Sequence, residues 1–313
     1  ILYCEHELEQ AETCLHQALA LARAAADLPL AAHILNNLAT LAVDQQDFAR
    51  VEEFASASFD MAREQGITWL CGWSQLTRGR AAFECQSLNE SKQLFERAYA
   101  DFRSIGALRG EAFSLMFQAE TALRQDDLPR AEAQYKKALL MVRALNDIHG
   151  IIYSLADCGR IAALRGDYDM ARSMLTESLQ LAREQSDFQG TCWARVGLAY
   201  VLASEGDTAG AQAHALEAIS LAQTVDDPVS AFAARATIAY AQASAGQAEI
   251  AAHLIGSAEA LRDRLRLRLF SIDKAGCVQV YAAVHALLAP PVLEGALARG
   301  RELSFTEALG LPP

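Results

Sequence analysis

The chain has 313 residues, of which 52% are hydrophobic and 21% charged, a balance typical of a folded chain rather than a disordered one. Its formal net charge of −12 argues against a basic face for nucleic acid and against binding to an anionic membrane surface. The most apolar stretch, Val278 to Leu293, contains Gln279 and His285 and is broken by Pro290-Pro291, so no transmembrane segment is predicted.

The N-terminus has neither an initiator Met nor a basic-then-apolar signal pattern, and it starts inside a helical pattern. We therefore interpret the chain as a piece of a longer protein that is cytoplasmic. The seven cysteines form an odd set without a close CxxC pair. They are predicted to be buried free thiols rather than disulfides or zinc ligands: Cys4, Cys14, Cys71, Cys85, Cys158, Cys192 and Cys277.

The first predicted helix lies within residues 1–24 and carries an apolar stripe at helical spacing. It is interpreted as the second helix of a truncated repeat. A first helix near 30–43 and a second helix near 51–63 follow, joined by a polar turn, and this pair then recurs. Further first helices are predicted near 69–84, 109–124, 149–164, 189–204 and 229–244, and further second helices near 88–103, 128–143, 168–183, 208–223 and 248–265.

The turn around Gly166 shows why the pattern repeats. Gly166 supplies a left-handed helix stop, Asp167 can cap the next helix, and Tyr168 can staple the turn. Equivalent positions recur every 40 residues, at Phe48, Leu88, Leu128, Tyr168, Thr208 and Ala248. Small residues keep the same period, among them Gly79, Ala119, Gly159, Ala131, Ala171, Ala211, Ala98, Ala138 and Ala218. A small residue repeated at one site predicts closely approaching helices, and a fixed period predicts a solenoid.

The tail departs from the 40-residue period. A polar break is predicted at Ser271-Ile272-Asp273, followed by a helix from about Lys274 to Leu288 and a helix over Val292–Arg299. Ser304 and Glu307 have the spacing of a capping box for a last short helix. We expect this tail to cap the final repeat, which would otherwise expose an apolar face.

The small residues of the first helices and the alanine columns of the second helices resemble the tetratricopeptide repeat (TPR) family over residues 1 to about 265. The resemblance implies an all-α, TPR-like, right-handed superhelical solenoid with a 40-residue period and a C-terminal helical cap. The corresponding domains are TPR-like repeats over 1–266 and capping helices over 267–313. The unit is longer than the family's usual period, and its customary proline is present only near Pro29 and Pro228.

Two tail segments carry a narrower resemblance: AAHLIGSAEALRDRL at 251–265 and LEGALARGRELSFTEAL at 293–309. They are similar to the TPR sensor region of large ATP-dependent bacterial regulators of the LuxR-type, MalT-like group. That resemblance implies an NTPase module before this region and a helix-turn-helix DNA-binding domain after it, elsewhere in the parent chain. Neither module is visible in this sequence, and a cyclase or kinase with the same ATPase-TPR architecture stays open as the parent.

Motifs of enzymatic chemistry are missing from the sequence. It contains no phosphate-binding P-loop, no His-Glu-x-x-His and no Gly-x-Ser-x-Gly. The pairs Cys4/His6 and Cys14/His16 have i, i+2 spacing, which points their side chains apart on a helix. The chain is therefore predicted to be non-enzymatic and to use no cofactor and no metal.

The candidate site is a surface on the first helices, which line the concave face of a TPR superhelix. Residues at equivalent positions of successive first helices form columns on this surface. One column is aromatic and another alternates arginine and glutamate, a combination that suits a sugar, a peptide or an amphipathic helix. The predicted ligand or partner residues are Asn36, Trp73, Arg80, Phe113, Glu120, Tyr153, Arg160, Trp193, Tyr200 and Tyr240. The aromatic residues could equally pack between neighbouring first helices, and Arg80 could pair with Glu120.

These observations predict a sensor domain of a bacterial transcriptional regulator that binds a small-molecule inducer or a protein partner in the concave face. The alternative is a pure protein–protein scaffold without a small-molecule role. Direct contact of this segment with nucleic acid or membrane is not expected.

Overall fold

The computed structural model describes residues 5–265, 267 and 271–310. All regular secondary structure in these residues is helical. The helices are α1 (Glu5–Ala24), α2 (Leu28–Asp44), α3 (Phe48–Glu64), α4 (Thr68–Glu84), α5 (Leu88–Ser104), α6 (Leu108–Arg124), α7 (Leu128–Ala144), α8 (Ile148–Leu164), α9 (Tyr168–Glu184), α10 (Phe188–Ser204), α11 (Thr208–Thr224), α12 (Pro228–Ser244), α13 (Ala248–Leu265), α14 (Ser271–Leu287), α15 (Pro290–Glu302) and α16 (Phe305–Ala308). The predicted all-α solenoid of helix-turn-helix repeats is confirmed, and the predicted repeat helices agree closely with α2–α13.

The chain divides into two compact units, unit 1 (Ile1–Asn146) and unit 2 (Asp147–Pro313). In unit 1 the helix pairs α2–α3, α4–α5 and α6–α7 stack so that the first helices α2, α4 and α6 are neighbours. In unit 2 the pairs α8–α9, α10–α11 and α12–α13 stack in the same way, with α8, α10 and α12 as neighbouring first helices. The predicted boundary between repeats and cap, at 266/267, borders residues outside the described part of the chain and stays a prediction.

The turns from α1 to α13 share one three-residue design. At Gly166, φ is 80°, its N–H donates to the Ala163 carbonyl (3.0 Å), and the Asp167 N–H donates to the Ala162 carbonyl (3.0 Å). This is a Schellman motif, which satisfies carbonyls that a helix end leaves without partners. The next residue then starts a new helix, so successive helices from α2 to α13 begin 20 residues apart.

Aspartate caps most of the helices that follow these turns. Asp167, for example, accepts a hydrogen bond from the Met170 N–H at 3.3 Å, as its position in the sequence predicts. Asp27, Asp47, Asp127, Asp147, Asp187, Asp207 and Asp227 cap their helices in the same way. The helices after Ile67, Ser87 and Ala107 begin without a side-chain cap.

Glycine and alanine allow close helix packing in unit 2. Leu175 of α9 is fully buried and lies against Gly159 of α8 and Gly197 of α10. A Cβ built at either glycine would lie less than 3 Å from a Leu175 carbon atom. Ala171, one turn before Leu175, is also fully buried. The predicted close approach at the small-residue columns is thus confirmed here.

The C-terminal helices complete unit 2 by two different contacts. Gly256 of α13 and Gly300 of α15 lie where the two helices cross, and a Cβ on either would lie 2.3 Å from a backbone oxygen of the other helix. The short helix α16 also packs on α13, and Ser304 and Glu307 form the predicted capping box. Helix α14 instead leaves this stack and packs chiefly on the first helix α12, with a smaller contact on α8.

Two local predictions are wrong. Ser271-Ile272-Asp273 is not a break but the first turn of α14, because serine and aspartate are also favourable at the start of a helix. Cys14 and Cys85 are exposed, whereas Cys71, Cys158 and Cys192 are buried as predicted, and all five are free thiols. Cys85 lies in a turn, which runs over the surface, and Cys14 lies on the terminal helix α1. Cys4 and the Cys277 side chain lie outside the described residues.

Candidate functional site

The ten predicted site residues all lie on first helices, where their common period places them. Those on unit 1 are Asn36 on α2, Trp73 and Arg80 on α4, and Phe113 and Glu120 on α6. Those on unit 2 are Tyr153 and Arg160 on α8, Trp193 and Tyr200 on α10, and Tyr240 on α12. Asn36 is buried, and the other nine are half-buried.

In unit 1 the aromatic side chains touch one another across α4 and α6. The ring centroids of Trp69 and Trp73 are 6.1 Å apart, and those of Trp73 and Phe113 are 5.9 Å apart. Trp69 is 42% exposed, and its far side meets the His33 ring at 5.6 Å. We call Trp69, Trp73 and Phe113 the aromatic strip. The sequence analysis missed Trp69 because it lies outside the aromatic column, four residues before Trp73.

Cations border the aromatic strip. The guanidinium of Arg109 lies 5.7 Å from the centroid of the Phe113 ring, and that of Arg80 lies 5.9 Å from the centroid of Phe117. The electron-rich face of an aromatic ring attracts a cation, so these rings stabilise the two guanidinium groups where they lie. Asn36, by contrast, is turned into the packing between α2 and α4, where its Oδ1 accepts a hydrogen bond from the Thr77 hydroxyl at 3.4 Å.

In unit 2 the aromatic column is tied into the packing between first helices. The Tyr153 and Trp193 rings meet edge to face at 5.2 Å. The Tyr153 hydroxyl donates to Asp187 and the Trp193 indole N–H donates to Asp227, both at 3.3 Å, and each aspartate is the N-cap of the next first helix. Burial raises the pKa of the Tyr153 hydroxyl, and the Asp187 carboxylate raises it further, so this group stays a hydrogen-bond donor.

Trp73 of unit 1 lacks the partner that its unit 2 counterparts have. The N-cap after it is Ala107, which offers no carboxylate at the position of Asp187 or Asp227. The Trp73 Nε1 is consequently buried without a hydrogen-bond partner among the described residues. A buried donor without a partner costs free energy, so Trp73 is held here by packing alone.

The other predicted residues of unit 2 line one cleft. Arg160, Tyr200 and Tyr240 line a solvent-open cleft with a free volume of about 40 Å³, and Val196 of α10 and Val280 of α14 line it too. The Tyr200 and Tyr240 rings stack at 5.8 Å, and the Arg160 Nη1 lies 3.9 Å from the Asp157 Oδ1. We call this space the tyrosine cleft. No sequence periodicity placed α14 beside it.

A second feature missed from the sequence is a buried arginine on α10. Arg195 is 4% exposed and pairs with Glu217 of α11, and its Nη1 lies 3.4 Å from the His214 Nδ1. Burial lowers the pKa of His214, and the charge of Arg195 lowers it further. The equivalent residues of the two preceding repeats are Leu115 and Leu155, and that of the next repeat is Arg235, so the change from leucine to arginine at this position was the available signal.

The described residues contain no group of three or more His, Cys, Asp or Glu side chains placed to hold a metal ion. None of the helices in the described ranges is both long and apolar enough to span a membrane. What these first helices offer is therefore two surfaces, the aromatic strip of unit 1 and the tyrosine cleft of unit 2.

Comparison with known proteins adds a family assignment for part of the sequence. Residues 110–184 match the tetratricopeptide repeat family. The match supports a TPR region within the chain. The match runs from α6 to α9, and TPR arrays are extended surfaces of the kind that bind other proteins. No curated protein matches the sequence significantly.

Proposed function

We propose that this chain is a non-enzymatic protein-interaction domain and that the aromatic strip of unit 1 binds an apolar segment of a partner protein. The observation that supports this most directly is the connected set of Trp69, Trp73 and Phe113, of which Trp69 is 42% exposed. Tryptophan is enriched among the few interface residues that carry most of the binding energy.

Arg80 and Arg109 determine what kind of segment the strip suits. The Arg109 guanidinium lies over the Phe113 ring of the strip, and the Arg80 guanidinium lies over the neighbouring Phe117 ring, so two positive charges border the strip and favour the approach of a carboxylate. We therefore expect a peptide with one or two large apolar side chains and a nearby acidic residue. The aromatic rings would contact the apolar side chains, and the arginines would orient the peptide.

The test is selection of peptides from a random library displayed on phage, using the whole chain as the target. Selected peptides are then measured by calorimetry against the unchanged chain and against Trp69→Ala and Arg80→Ala. We expect Trp69→Ala to weaken binding at least tenfold, the loss typical of a residue that dominates an interface. Leu140→Ala is the matched control, because Leu140 is also an exposed apolar residue of unit 1, but on the second helix α7.

Peptides that lose as much affinity with Leu140→Ala as with Trp69→Ala would contradict the proposal. So would a selection that yields only peptides indifferent to Trp69 and Arg80. Far-UV circular dichroism and thermal melting of each variant separate a lost contact from a lost fold.

A sugar or another small-molecule inducer on the same strip is the second candidate, because an exposed tryptophan face beside an arginine also suits a sugar ring. Thermal-shift measurements with sugars, nucleotides and amino acids test it. Stabilisation that disappears with Arg80→Ala would favour the inducer over the peptide. If no compound stabilises the chain and peptide binding is lost with Trp69→Ala, the result would support a protein partner rather than an inducer.

The resemblance of the tail segments extends the proposal to the parent protein. We propose that it is a cytoplasmic, bacterial, LuxR-type regulator whose NTPase and DNA-binding modules lie outside this sequence. Binding at the strip would then favour one of two states of the parent and so change its contact with the NTPase module. Sequencing the parent gene is the direct check, and flanking segments that encode a cyclase or kinase instead would overturn this extension.

A further inference from the structure

Helix α14 does not continue the stack of helix pairs in unit 2 but packs chiefly on the first helix α12. The helix before it, α13, and the helix after it, α15, already pack directly on each other, with Gly256 and Gly300 at their crossing. This crossing brings backbone against backbone, and the atoms nearest to the two glycines belong to α13 and α15. The end of unit 2 therefore has a contact of its own that does not depend on where α14 lies.

What holds α14 is mainly the face of the first helices. Val280 and Val284, one turn apart, are 2% and 0% exposed and join the buried cluster that includes Val196 of α10 and Ala233 of α12. On the opposite side of the helix, Val278 is 67% exposed. Helix α14 thus lies on this face as a short amphipathic helix, with Val280 and Val284 among its anchors.

One polar contact fastens α14 to the rest of the tail. The Tyr281 hydroxyl donates a hydrogen bond to Glu259 Oε1 on α13. The other carboxylate oxygen of Glu259 accepts a hydrogen bond from Arg301 of α15 at 2.7 Å. Glu259 therefore links α14 to the packed pair α13 and α15. This link can break without disturbing the crossing of α13 and α15 at Gly256 and Gly300.

The anchors of α14 do not fill the surface beneath them. Val280 lines the tyrosine cleft, which still holds a free volume of about 40 Å³ beside Tyr200, Tyr240 and Arg160. A longer apolar side chain at the position of Val280 would enter this space and bury more surface, and each added buried methylene group strengthens binding.

From these contacts we propose that the first-helix face of unit 2 is a binding site for an amphipathic helix of a partner protein, and that α14 is its resident occupant, which the partner displaces. The partner helix carries a leucine or phenylalanine where α14 has Val280. This site is separate from the aromatic strip, so it does not depend on the function proposed for unit 1.

The probe is a fluorescein-labelled synthetic peptide with the sequence of residues 271–289 and the change Val280→Leu, titrated with the whole chain in reducing buffer. In the unchanged chain the tethered α14 competes at a high effective concentration, so the peptide should bind weakly. The variant Val284→Asp places a charge at a fully buried position and should release α14. We expect fluorescence anisotropy to show at least tenfold tighter binding to Val284→Asp, and no change with the control Val278→Asp on the exposed side.

Two further comparisons keep the result interpretable. The peptide without the change should bind Val284→Asp about fourfold more weakly, as one buried methylene group fewer predicts. If Val284→Asp loses its helical circular dichroism, Tyr281→Phe serves instead, because it removes only the hydroxyl that holds α14 to Glu259. Its affinity for the peptide should also exceed that of the unchanged chain.

Equal affinity of the unchanged chain and of a folded release variant would overturn the proposal. Tight binding that persists in Val196→Asp would overturn it too, because that charge would lie under the peptide. Trp69→Ala on unit 1 should leave peptide binding unaltered, so that failure at one of the two surfaces can be told from failure at the other.

Discussion

Leu175 offers the sharpest test of how this repeat array packs, through the change Gly159→Ala. A Cβ at position 159 would lie 2.7 Å from the Leu175 Cγ and 3.3 Å from the Ala171 carbonyl oxygen. Leu175 has no room to withdraw toward α10, because a Cβ at Gly197 would already lie 2.6 Å from the Leu175 Cδ2. The added methyl group must therefore push α8 and α9 apart.

Two opposing effects set the size of the change. Alanine is better than glycine inside a helix by ~1 kcal/mol. Overpacking a filled core costs ~1–3 kcal/mol. Because Leu175 is fully buried and confined on both sides, we expect overpacking to win and Gly159→Ala to lower the free energy of unfolding by ~1 kcal/mol.

The matched control is Gly295→Ala on α15 of the same unit. Gly295 is exposed, and nothing lies within 4 Å of a Cβ built there, so only the helix preference acts. This variant should be more stable than the unchanged chain by ~1 kcal/mol. Urea unfolding followed by circular dichroism, together with hydrogen exchange of the α8 amides, measures the difference between the two variants.

A second background shows whether Leu175 is the cause. In a chain that already carries Leu175→Ala, the methyl group of Gly159→Ala would enter vacated space and should no longer destabilise. If Gly159→Ala stabilises the unchanged chain as much as Gly295→Ala does, then the helices adjust freely at this column, and the argument from close packing is refuted.

Three further predictions concern local features. Ala107→Asp should cap α6 and also give the Trp73 indole N–H an acceptor. The free energy of unfolding, measured in urea, should therefore rise by ~1–3 kcal/mol. An unchanged midpoint of urea unfolding would show that an aspartate at position 107 does not reproduce the contact that Asp227 makes with Trp193. Burial, and then a neighbouring arginine, lower the pKa of His214, so the folded chain takes up its proton less readily than the unfolded chain. Stability should therefore fall as the pH drops below the ordinary histidine pKa of about 6.5, and His214→Gln should make the melting temperature less sensitive to pH between about 7 and 5. Gln46 and Gly66 occupy equivalent turns at φ of 58° and 67°. Gln46→Gly should raise the melting temperature and Gly66→Gln should lower it, and each change in the free energy of unfolding should be at most ~1 kcal/mol. Shifts of the melting temperature in the same direction would contradict the role given to positive φ in these turns.

The sequence predicted on which helices the ten candidate residues lie, but not which partners their side chains have. Periodicity alone placed all ten residues on first helices, because residues 40 apart occupy equivalent points of the array. It could not tell Trp73 from Trp193, since the difference is the residue at the start of the next first helix, Ala107 in one case and Asp227 in the other. Those partners lie 34 residues further along the chain and are brought close only by stacking.

The sequence by itself determined the helices, the turns and the stacking of small residues. These features depend on neighbours in the chain, as with Gly166 and Asp167 in one turn, or on one repeated interface, as with Gly159 and Leu175. Only the tertiary structure decided where α14 lies and that Val280 borders the tyrosine cleft. The physical reason is that an amphipathic helix has the same pattern of apolar residues whichever surface covers them, so its pattern predicts burial without naming the partner.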